Sequence, residues 1–565
     1  MPIGALAPQA TAWWDAVVPT VRTDQRKVLK QPGTEADMEA MMVRLQGTPA
    51  APGLAAGPLI RLAEARRLAR TQESPEAERE ALAQAILAAQ QDLLALIESV
   101  SSDEEEGILA FQLALLDDEE LIRPANAAID IGEAAHSAWH AALELQIADY
   151  ESSEDLYFRG RAADLRDLRD RVLDSLMGAA ANAIPAGAIV VADDLAPSRF
   201  LATDWSNGGL VLHRAGTTSH VAILARARGV PMLVGIDGGM LEGHKQALLD
   251  AHRGLLILDP DLPTRSEFDR EREAHAARVA ADARHLGFDA KTTAGVRVRV
   301  MINIARPQDL DVVDAAHTDG IGLVRTEFLF HDREHLPDEE EQYRVYRRIL
   351  EWAAGKPVTI RTLDAGGDKP IPGLTREAES NPFLGIRGVR LSLRRPDVLH
   401  VQMRALVRAA VAGNLKIMLP MVTVADELEQ CRLMLDRVVA ELGSEAVPVR
   451  RPELGIMVEV PAAALAIDEF EADFYSIGSN DLLQYLTASS RDEPELAALS
   501  QPGTAFWRAI RNVAEHGLRH GRDVSLCGDL ASDIRHVPAL LGYGVRTLSV
   551  APAALAAVKA AVARS

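Results

Sequence analysis

Several side chains able to do chemistry crowd the C-terminal half of this 565-residue chain. They are the arginines Arg325, Arg361, Arg387 and Arg491, the carboxylates Glu459 and Asp481, the amide Asn480 and the thiol Cys527. Guanidinium forks match carboxylate and phosphate groups through paired hydrogen bonds, so arginines converging on one cavity point to a small, multiply charged anion. Two carboxylates with room for water beside them suggest Mg²⁺, a hard octahedral ion that takes a few protein oxygens and completes its shell with substrate phosphate. A structural salt-bridge network is the alternative. It does not explain why these groups follow the ends of apolar runs.

A second candidate lies at Ala215-Gly-Thr-Thr-Ser-His-Val-Ala-Ile-Leu-Ala-Arg226, where His220 comes after a hydroxyl-rich loop and opens an apolar helical stretch. A histidine so placed can act as a nucleophile while a neighbouring oxygen holds its other ring nitrogen. An ordinary helix-cap region is the plain alternative. The hydroxyls of Thr217, Thr218 and Ser219 and the amides of a helix N-terminus can also receive a phosphoryl group.

These residues need a frame. Short apolar runs at Val296–Ile302, Ile321–Val324, Val358–Ile360, Lys416–Leu419, Gly455–Val458, Phe474–Ile477, Val524–Leu526 and Thr547–Val550 alternate with helical segments. They predict a (β/α)8 barrel over residues 291–565, close to the roughly 250 residues that fold requires. Asn303, Arg325, Arg361, Glu459, Asn480, Asp481 and Cys527 then follow strand ends, where such a barrel builds its active site. Upstream, runs at Ile189–Ala192, Leu210–Leu212 and Met232–Val234 between Gly, Pro and Asp predict a small α/β domain over 46–70 and 151–260. Residues 71–150 read as a helical subdomain, with Leu82, Ile86, Leu93, Leu94 and Ile97 at three- and four-residue spacings. A charged stretch free of Pro and Gly, Arg265 to Arg284, predicts a linker helix within 261–290. Residues 1–45 form an N-terminal extension to which no role is assigned. The expected fold class is therefore multidomain α/β, ending in a TIM barrel.

Composition narrows the partners. Sixty Lys and Arg against 82 Asp and Glu give a net charge of −22, which disfavours nucleic acid and anionic membranes as partners. Between Thr71 and Leu121 there are fourteen acids and one base, Arg79, so much of that charge is concentrated there. A solvated helix face is one reading. A docking surface for a basic protein is the other, with Leu115, Leu116, Asp117, Asp118, Glu119 and Glu120 its densest mixed patch. Two distant cysteines, Cys431 and Cys527, make no disulfide framework, and no run approaches the roughly 18 apolar residues of a membrane span. The expected location is the cytoplasm.

Two stretches then become specific. The loop around His220 resembles the phosphohistidine signature of the phosphoenolpyruvate-utilising enzymes, and Asp473-Phe-Tyr-Ser-Ile-Gly-Ser-Asn-Asp-Leu-Leu-Gln484, continuing to Arg491, resembles their second signature. Gly320–Phe330, Arg361–Lys369, Asn381–Arg387, Gly455–Pro461 and Leu526–Leu530 are further matches, in the order found in phosphoenolpyruvate-protein phosphotransferases. The resemblance spans roughly residues 46–555. It departs at Ala215, Val221, Ser479 and Asp529, where Gly, a small hydroxyl residue, Thr and Glu are usual; no reacting group is lost.

The resemblance implies a helical carrier-docking subdomain, a swivelling phosphohistidine domain and a phosphoenolpyruvate-binding barrel that joins two copies into a homodimer. It implies that His220 attacks phosphoenolpyruvate through Nε2 and passes the phosphoryl group to a histidine of a small phosphocarrier protein (HPr-like), with pyruvate released. Arg325, Arg361, Asn480 and Arg491 would bind phosphoenolpyruvate, Glu459 and Asp481 would hold Mg²⁺, and Cys527 would protonate the enol carbon. The general first step of a sugar phosphotransferase system is the expected role. A nitrogen-branch or kinase-subunit phosphorylating variant and a non-catalytic phosphoenolpyruvate sensor are the alternatives. A dikinase or synthase would need an ATP-grasp module, of which these residues carry no sign.

Overall fold

A computed structural model describes residues 42–62, 73–99, 103–152, 156–178, 184–216, 219–330, 335–367, 371, 373–375, 379–490, 496, 499 and 501–565. The chain divides into two units; apart from residues 100–107, which group with the second, the change from one to the other falls between Arg272 and Glu273, inside the helix Leu262–Ala283. That helix occupies the stretch expected for the linker.

The first unit combines a mixed sheet with a helical layer. Eight strands run in the order β1 (Val43–Gln46), β8 (Leu255–Leu258), β7 (Gln246–Asp250), β3 (Leu54–Arg61), β4 (Ile189–Ala192), β5 (Gly209–Leu212), β6 (Met232–Val234) and β2 (Thr48–Ala51). The central pairs β3–β4, β4–β5 and β5–β6 are parallel, and the flanking pairs are antiparallel. Strands β4, β5 and β6 are buried along their whole length, which is why they read as unbroken apolar runs. One expectation is corrected here. Residues 43–45 are not part of an extension without a role, because β1 pairs with β8 and Val43 and Leu45 pack against the sheet's core.

The helices Pro75–Ser99, Asp103–Leu116, Glu119–Asp130, Ala135–Ser152 and Leu156–Leu176 form the helical layer. Their shared interior holds Leu82, Leu93, Leu109, Ile129, Leu143 and Leu168, with Trp139 fully enclosed and donating its indole N–H to the Arg169 carbonyl at 3.2 Å. The layer continues to Leu176, past the boundary expected at residue 150, because Leu165, Leu168 and Val172 keep a helical period and pack onto the preceding helices.

The second unit is a closed eight-stranded parallel barrel. Its strands are β9 (Arg299–Ile304), β10 (Ile321–Val324), β11 (Pro357–Arg361), β12 (Asn414–Leu419), β13 (Glu453–Val458), β14 (Phe474–Gly478), β15 (Asp523–Cys527) and β16 (Thr547–Val550), with β16 returning to pair with β9. A large apolar core lies between the strands and their helices. The barrel's interior is a separate layer of Leu323, Met418, Met457, Phe474 and Cys527. Near the amino ends of the strands, Lys416 bonds Glu453 at 2.8 Å while Arg299 contacts Asp523 and Thr547, a polar plug on the face that serves stability rather than catalysis. No helix among the described residues is long and apolar enough to cross a membrane.

Candidate active site

The carboxyl ends of the barrel strands hold most of the singled-out residues. Arg361 closes β11 and Cys527 closes β15, while Arg325, Glu459 and the pair Asn480–Asp481 come directly after β10, β13 and β14. At the floor of this mouth lies a buried ion cluster. Arg361 reaches Glu327 at 2.9 Å and Asp364 at 3.1 Å. Arg387 holds Asp364 through Nε and Nη2, each at 3.0 Å, and reaches Asp481 at 3.1 Å. Glu459 accepts the Met421 N–H through Oε1 at 2.7 Å.

Glu327 and Asp364 have no role in the sequence reading, although both lie inside motifs that it singles out. The available signal is their spacing: each is a carboxylate two or three residues beyond an arginine at a strand end. A second ring of bonds fixes this floor from behind. Gln402 accepts the Leu363 N–H at 3.0 Å and donates to the Tyr346 hydroxyl at 3.1 Å, and Thr326 donates to the Arg361 carbonyl at 3.0 Å. The Tyr485 hydroxyl donates to the Phe383 carbonyl at 2.6 Å, which ties the helix Ser479–Thr487 to the loop that carries Arg387.

Charge in this cluster is unbalanced. Glu327, Asp364, Glu459 and Asp481 are four buried carboxylates, and Arg361 and Arg387 are two buried guanidiniums. With all four carboxylates ionised, two negative charges would be left over. Burial works against the Arg361 charge, yet Glu327, Asp364 and Glu459 outweigh it and push its pKa above the ordinary guanidinium value. Arg387 behaves likewise beside Asp364, Asp481 and Glu459. Burial, followed by the charges of Asp481 and Asp364, pushes the Glu459 carboxyl up to about 8. A divalent cation there would displace the proton that Glu459 holds at neutral pH and balance the ionised carboxylates.

Glu459 and Asp481 are hard oxygen donors of the kind that Mg²⁺ takes, and among the described residues no group of three His, Cys, Asp or Glu side chains is placed to hold a metal on its own. Gly478 leaves room around the Glu459 carboxylate. A Cβ built on it would come within 3.0 Å of both Cβ and Oε2 of Glu459, so any larger residue would crowd the carboxylate.

Cys527 is paired in register with Gly478 and is buried in the barrel's inner layer. Its Sγ accepts from the Ser476 hydroxyl at 3.8 Å and donates to the Ile477 carbonyl at 3.6 Å. Burial pushes the thiol up to about 11, against the opposing pull of the Ser476 hydrogen bond, so it carries its proton at neutral pH.

Asn480 is engaged differently from a free substrate-binding amide. Its Oδ1 accepts the Asp529 N–H at 3.0 Å and its Nδ2 donates to Asp529 Oδ2 at 3.2 Å. Gly528, at φ +95°, permits this contact, since a Cβ there would sit 2.7 Å from Asn480 Oδ1. Arg325 is exposed beyond β10, with its backbone N–H bonded to the Ile304 carbonyl at 3.0 Å. Arg491 lies outside the described residues, so of the four expected substrate-binding residues the described mouth holds Arg325, Arg361 and Asn480.

In the first unit, His220 is the first residue of the helix His220–Arg228, the position where backbone N–H groups are unpaired and the helix dipole is positive. Ser219 caps it, its hydroxyl accepting the Ala222 N–H at 3.3 Å, and Gly229 ends it at φ +66°. Thr217 and Thr218 lie outside the described residues. In the helical layer, Asp117, Asp118, Glu119 and Glu120 are exposed, as a docking face requires. Leu116 is buried at 1% exposure and is therefore core, not contact surface.

The comparisons with known proteins agree with this geometry. Residues 280–565 match the family described as PEP-utilising enzyme, PEP-binding domain, residues 46–161 its N-terminal domain and residues 184–254 its mobile domain. A phosphoenolpyruvate-protein phosphotransferase of Geobacillus stearothermophilus is 36% identical over 521 residues, covering 88% of this chain and 90% of that protein. One of Haloferax volcanii is 39% identical over 482 residues, covering 82% of each. A multiphosphoryl transfer protein of Xanthomonas campestris is 40% identical over 81% of this chain and 55% of its own length. With three domain models of the family matched along the chain and relatives 36–40% identical over most of its length, this chain belongs to the phosphoenolpyruvate-utilising enzyme family.

Proposed function

We propose that the chain is a phosphoenolpyruvate-protein phosphotransferase that works through a phosphohistidine. His220 Nε2 attacks the phosphorus of phosphoenolpyruvate, a P–N bond forms, the bridging P–O bond breaks, and enolpyruvate leaves. A proton delivered to its methylene carbon gives pyruvate, and the phosphoryl group then moves from His220 to a histidine of a small carrier protein. The observation that carries this reading is the buried cluster of Arg361, Arg387, Glu459 and Asp481, gathered with the protonated thiol of Cys527 at the carboxyl ends of the barrel strands.

Each residue has a part. Arg361, held by Glu327 and Asp364, offers a fixed positive charge to the carboxylate or phosphate of the substrate, and Arg325 reaches the same mouth from β10. Glu459 and Asp481 would hold Mg²⁺, which when bound withdraws charge from the phosphoryl oxygens as the bridging bond breaks. Positioning and electrostatic stabilisation dominate such a transfer. Cys527, protonated at neutral pH, is the donor to the enol carbon. His220 lies in one unit and the barrel in the other, so a swivel of the first unit is part of the cycle. We infer further that the enzyme acts in the cytoplasm as a homodimer formed through its barrels, which analytical ultracentrifugation tests.

The decisive experiment supplies phosphoenolpyruvate labelled in its phosphoryl group, with Mg²⁺. Label should appear on His220 in an acid-labile, base-stable linkage and be absent from His220→Ala. Label retained by that variant would overturn the assignment.

A further inference from the structure

Within the first unit the carboxylate of Asp167 joins the helical layer to the α/β part. The short helix Pro197–Leu201, which follows β4, begins in an unusual way. Its N-cap is Ala196, which has no side-chain acceptor, and Pro197 at the first position has no N–H. The first free donor is therefore the N–H of Ser198, a residue buried at 0% exposure. Its partner comes from another element: Asp167, on the helix Leu156–Leu176, accepts the Ser198 N–H at 3.2 Å through Oδ2 and the Ser198 hydroxyl at 2.8 Å through Oδ1. This is a helix cap supplied across a subdomain boundary.

The cap is set in a buried polar knot. Gln112 donates to Asp167 at 3.0 Å and to Asp164 at 3.5 Å, and Arg171 donates to the Ser198 hydroxyl at 2.5 Å. The knot is not fully satisfied, since Gln112 Oε1 and Arg171 Nε are buried and find no hydrogen-bond partner among the described residues. Apolar packing of the same volume would avoid that cost, so stability alone does not account for the arrangement; buried polar groups are better suited to fixing one register. At its far end the same short helix accepts a bond from Arg228 Nη1 to the Leu201 carbonyl at 3.3 Å. Arg228 is the last residue of the helix that His220 opens. The path from the helical layer to the reactive helix thus runs Asp167, Ser198, Leu201, Arg228.

We propose that the Asp167–Ser198 cap is a positioning device, fixing the angle between the helical layer and the His220 helix so that a carrier docked on the former meets His220 in line. The inference rests on the phosphotransfer reading above. Asp167 and Ser198 touch neither phosphoenolpyruvate nor the carrier, and act through the helix that they hold. In-line phosphoryl transfer is sensitive to such placement, because a 1 Å error costs about 10²-fold.

The test compares Ser198→Ala, Asp167→Asn and Ser198→Thr with the unaltered full-length protein, using phosphoenolpyruvate, Mg²⁺ and a small histidine carrier. Self-phosphorylation of His220 should stay within about twofold in all of them, since that step needs only the barrel and the histidine. For onward transfer, kcat should fall about tenfold or more in Ser198→Ala and Asp167→Asn with the carrier's KM little changed, and Ser198→Thr, which keeps the hydroxyl, should recover most of it. Amide exchange should quicken in residues 197–201 and 220–228 of Ser198→Ala while the helix Ala135–Ser152 keeps its protection. Equal loss in both steps would make the knot merely structural, and unchanged onward transfer, or an effect confined to KM, would likewise overturn the proposal. Absence of label on His220 in the unaltered protein would instead sink the phosphotransfer reading itself.

Discussion

The guanidinium of Arg387 grips Asp364 through Nε and Nη2 at 3.0 Å each, and the same Nη2 reaches Asp481 at 3.1 Å. One buried cation therefore sets the position of a carboxylate that would bind metal and of another that braces Arg361. Removing it leaves Asp481 buried without its guanidinium and Asp364 with Arg361 alone. Arg387→Ala should destabilise the barrel by about 3–5 kcal/mol, the cost of breaking a buried pair from one side. Adding Asp481→Asn to that variant should restore part of the loss, because the second change removes the charge that the first has stranded. The urea midpoint of the barrel transition measures both, and a midpoint unmoved by Arg387→Ala would refute the account.

Glu459 and Asp481 differ from a structural ion pair in what their neutralisation does. Glu459→Gln and Asp481→Asn keep size and one accepting oxygen while replacing each carboxylate with a group that cannot carry negative charge. Phosphorylation of His220 from phosphoenolpyruvate should slow by about 10²-fold or more in either variant, with the Mg²⁺ requirement shifted to higher concentration. Fold stability of Glu459→Gln should hold near neutral pH, since burial beside Asp481 and Asp364 already pushes that carboxyl towards its neutral form. Rapid-quench rates across a Mg²⁺ series decide the matter, and near-normal rates in both variants would remove the metal from these residues.

For Cys527 the pH dependence has a definite sign. A thiol raised to about 11 remains protonated where an ordinary cysteine, near 8.5, is half ionised. Proton delivery to enolpyruvate should therefore show no loss attributable to the donor between about pH 7 and 9. The same burial predicts slow alkylation by iodoacetamide over that range, because the thiolate is the nucleophile. Cys527→Ala should still bind phosphoenolpyruvate and form phosphohistidine, yet exchange the methyl protons of pyruvate far more slowly. Proton exchange followed by NMR tests this, and a normal rate in Cys527→Ala would pass the role to another group.

The frame was more legible in the sequence than the wiring of the site. Ile321–Val324 and Thr547–Val550 are strands with the bounds that the sequence predicts, because a parallel strand buried on both faces must be an apolar run and the polar residue after it marks its end. The first barrel strand is displaced, spanning Arg299–Ile304 rather than Val296–Ile302, since Arg297 forms an isolated bridge with Lys291 and Val296 is exposed. For Glu327 and Asp364 the spacing from a strand-end arginine is the one local signal, and it does not disclose the pairings across 34 and 23 residues, with Arg361 and Arg387, that make them part of the cluster. Strand β1 was missed for the same kind of reason: four residues gain their strand character from β8, two hundred positions later. Leu116 stays open in the sequence, because an apolar residue beside four acids fits a docking patch and a helix end equally well, and only its burial decides for the core.

The acidic face of the helical layer yields the last prediction. Asp117 and Asp118 are exposed in the turn between two helices, and Glu119 and Glu120 are exposed in the first turn of the second. They are not equivalent. Asp118 caps the helix Glu119–Asp130 by accepting the Glu120 N–H at 2.9 Å, and Asp117 accepts from Gln90 at 2.7 Å, so replacing Asp118 would confound docking with helix stability. Glu119→Lys with Glu120→Lys reverses charge without touching the cap, at a helix-dipole cost of about 0.3–1 kcal/mol per site. If this face steers a carrier with basic residues beside its histidine, the on-rate should fall as salt rises through the range where the screening length is about 10 Å, and the double variant should lose both the fast on-rate and its salt dependence. Phosphorylation of His220 from phosphoenolpyruvate should be unaffected, because that reaction belongs to the barrel. Stopped-flow association across a salt series, run beside the self-phosphorylation assay, separates the outcomes: a shared fall in both steps would make the acids structural, and no change in either would place the docking surface on another face.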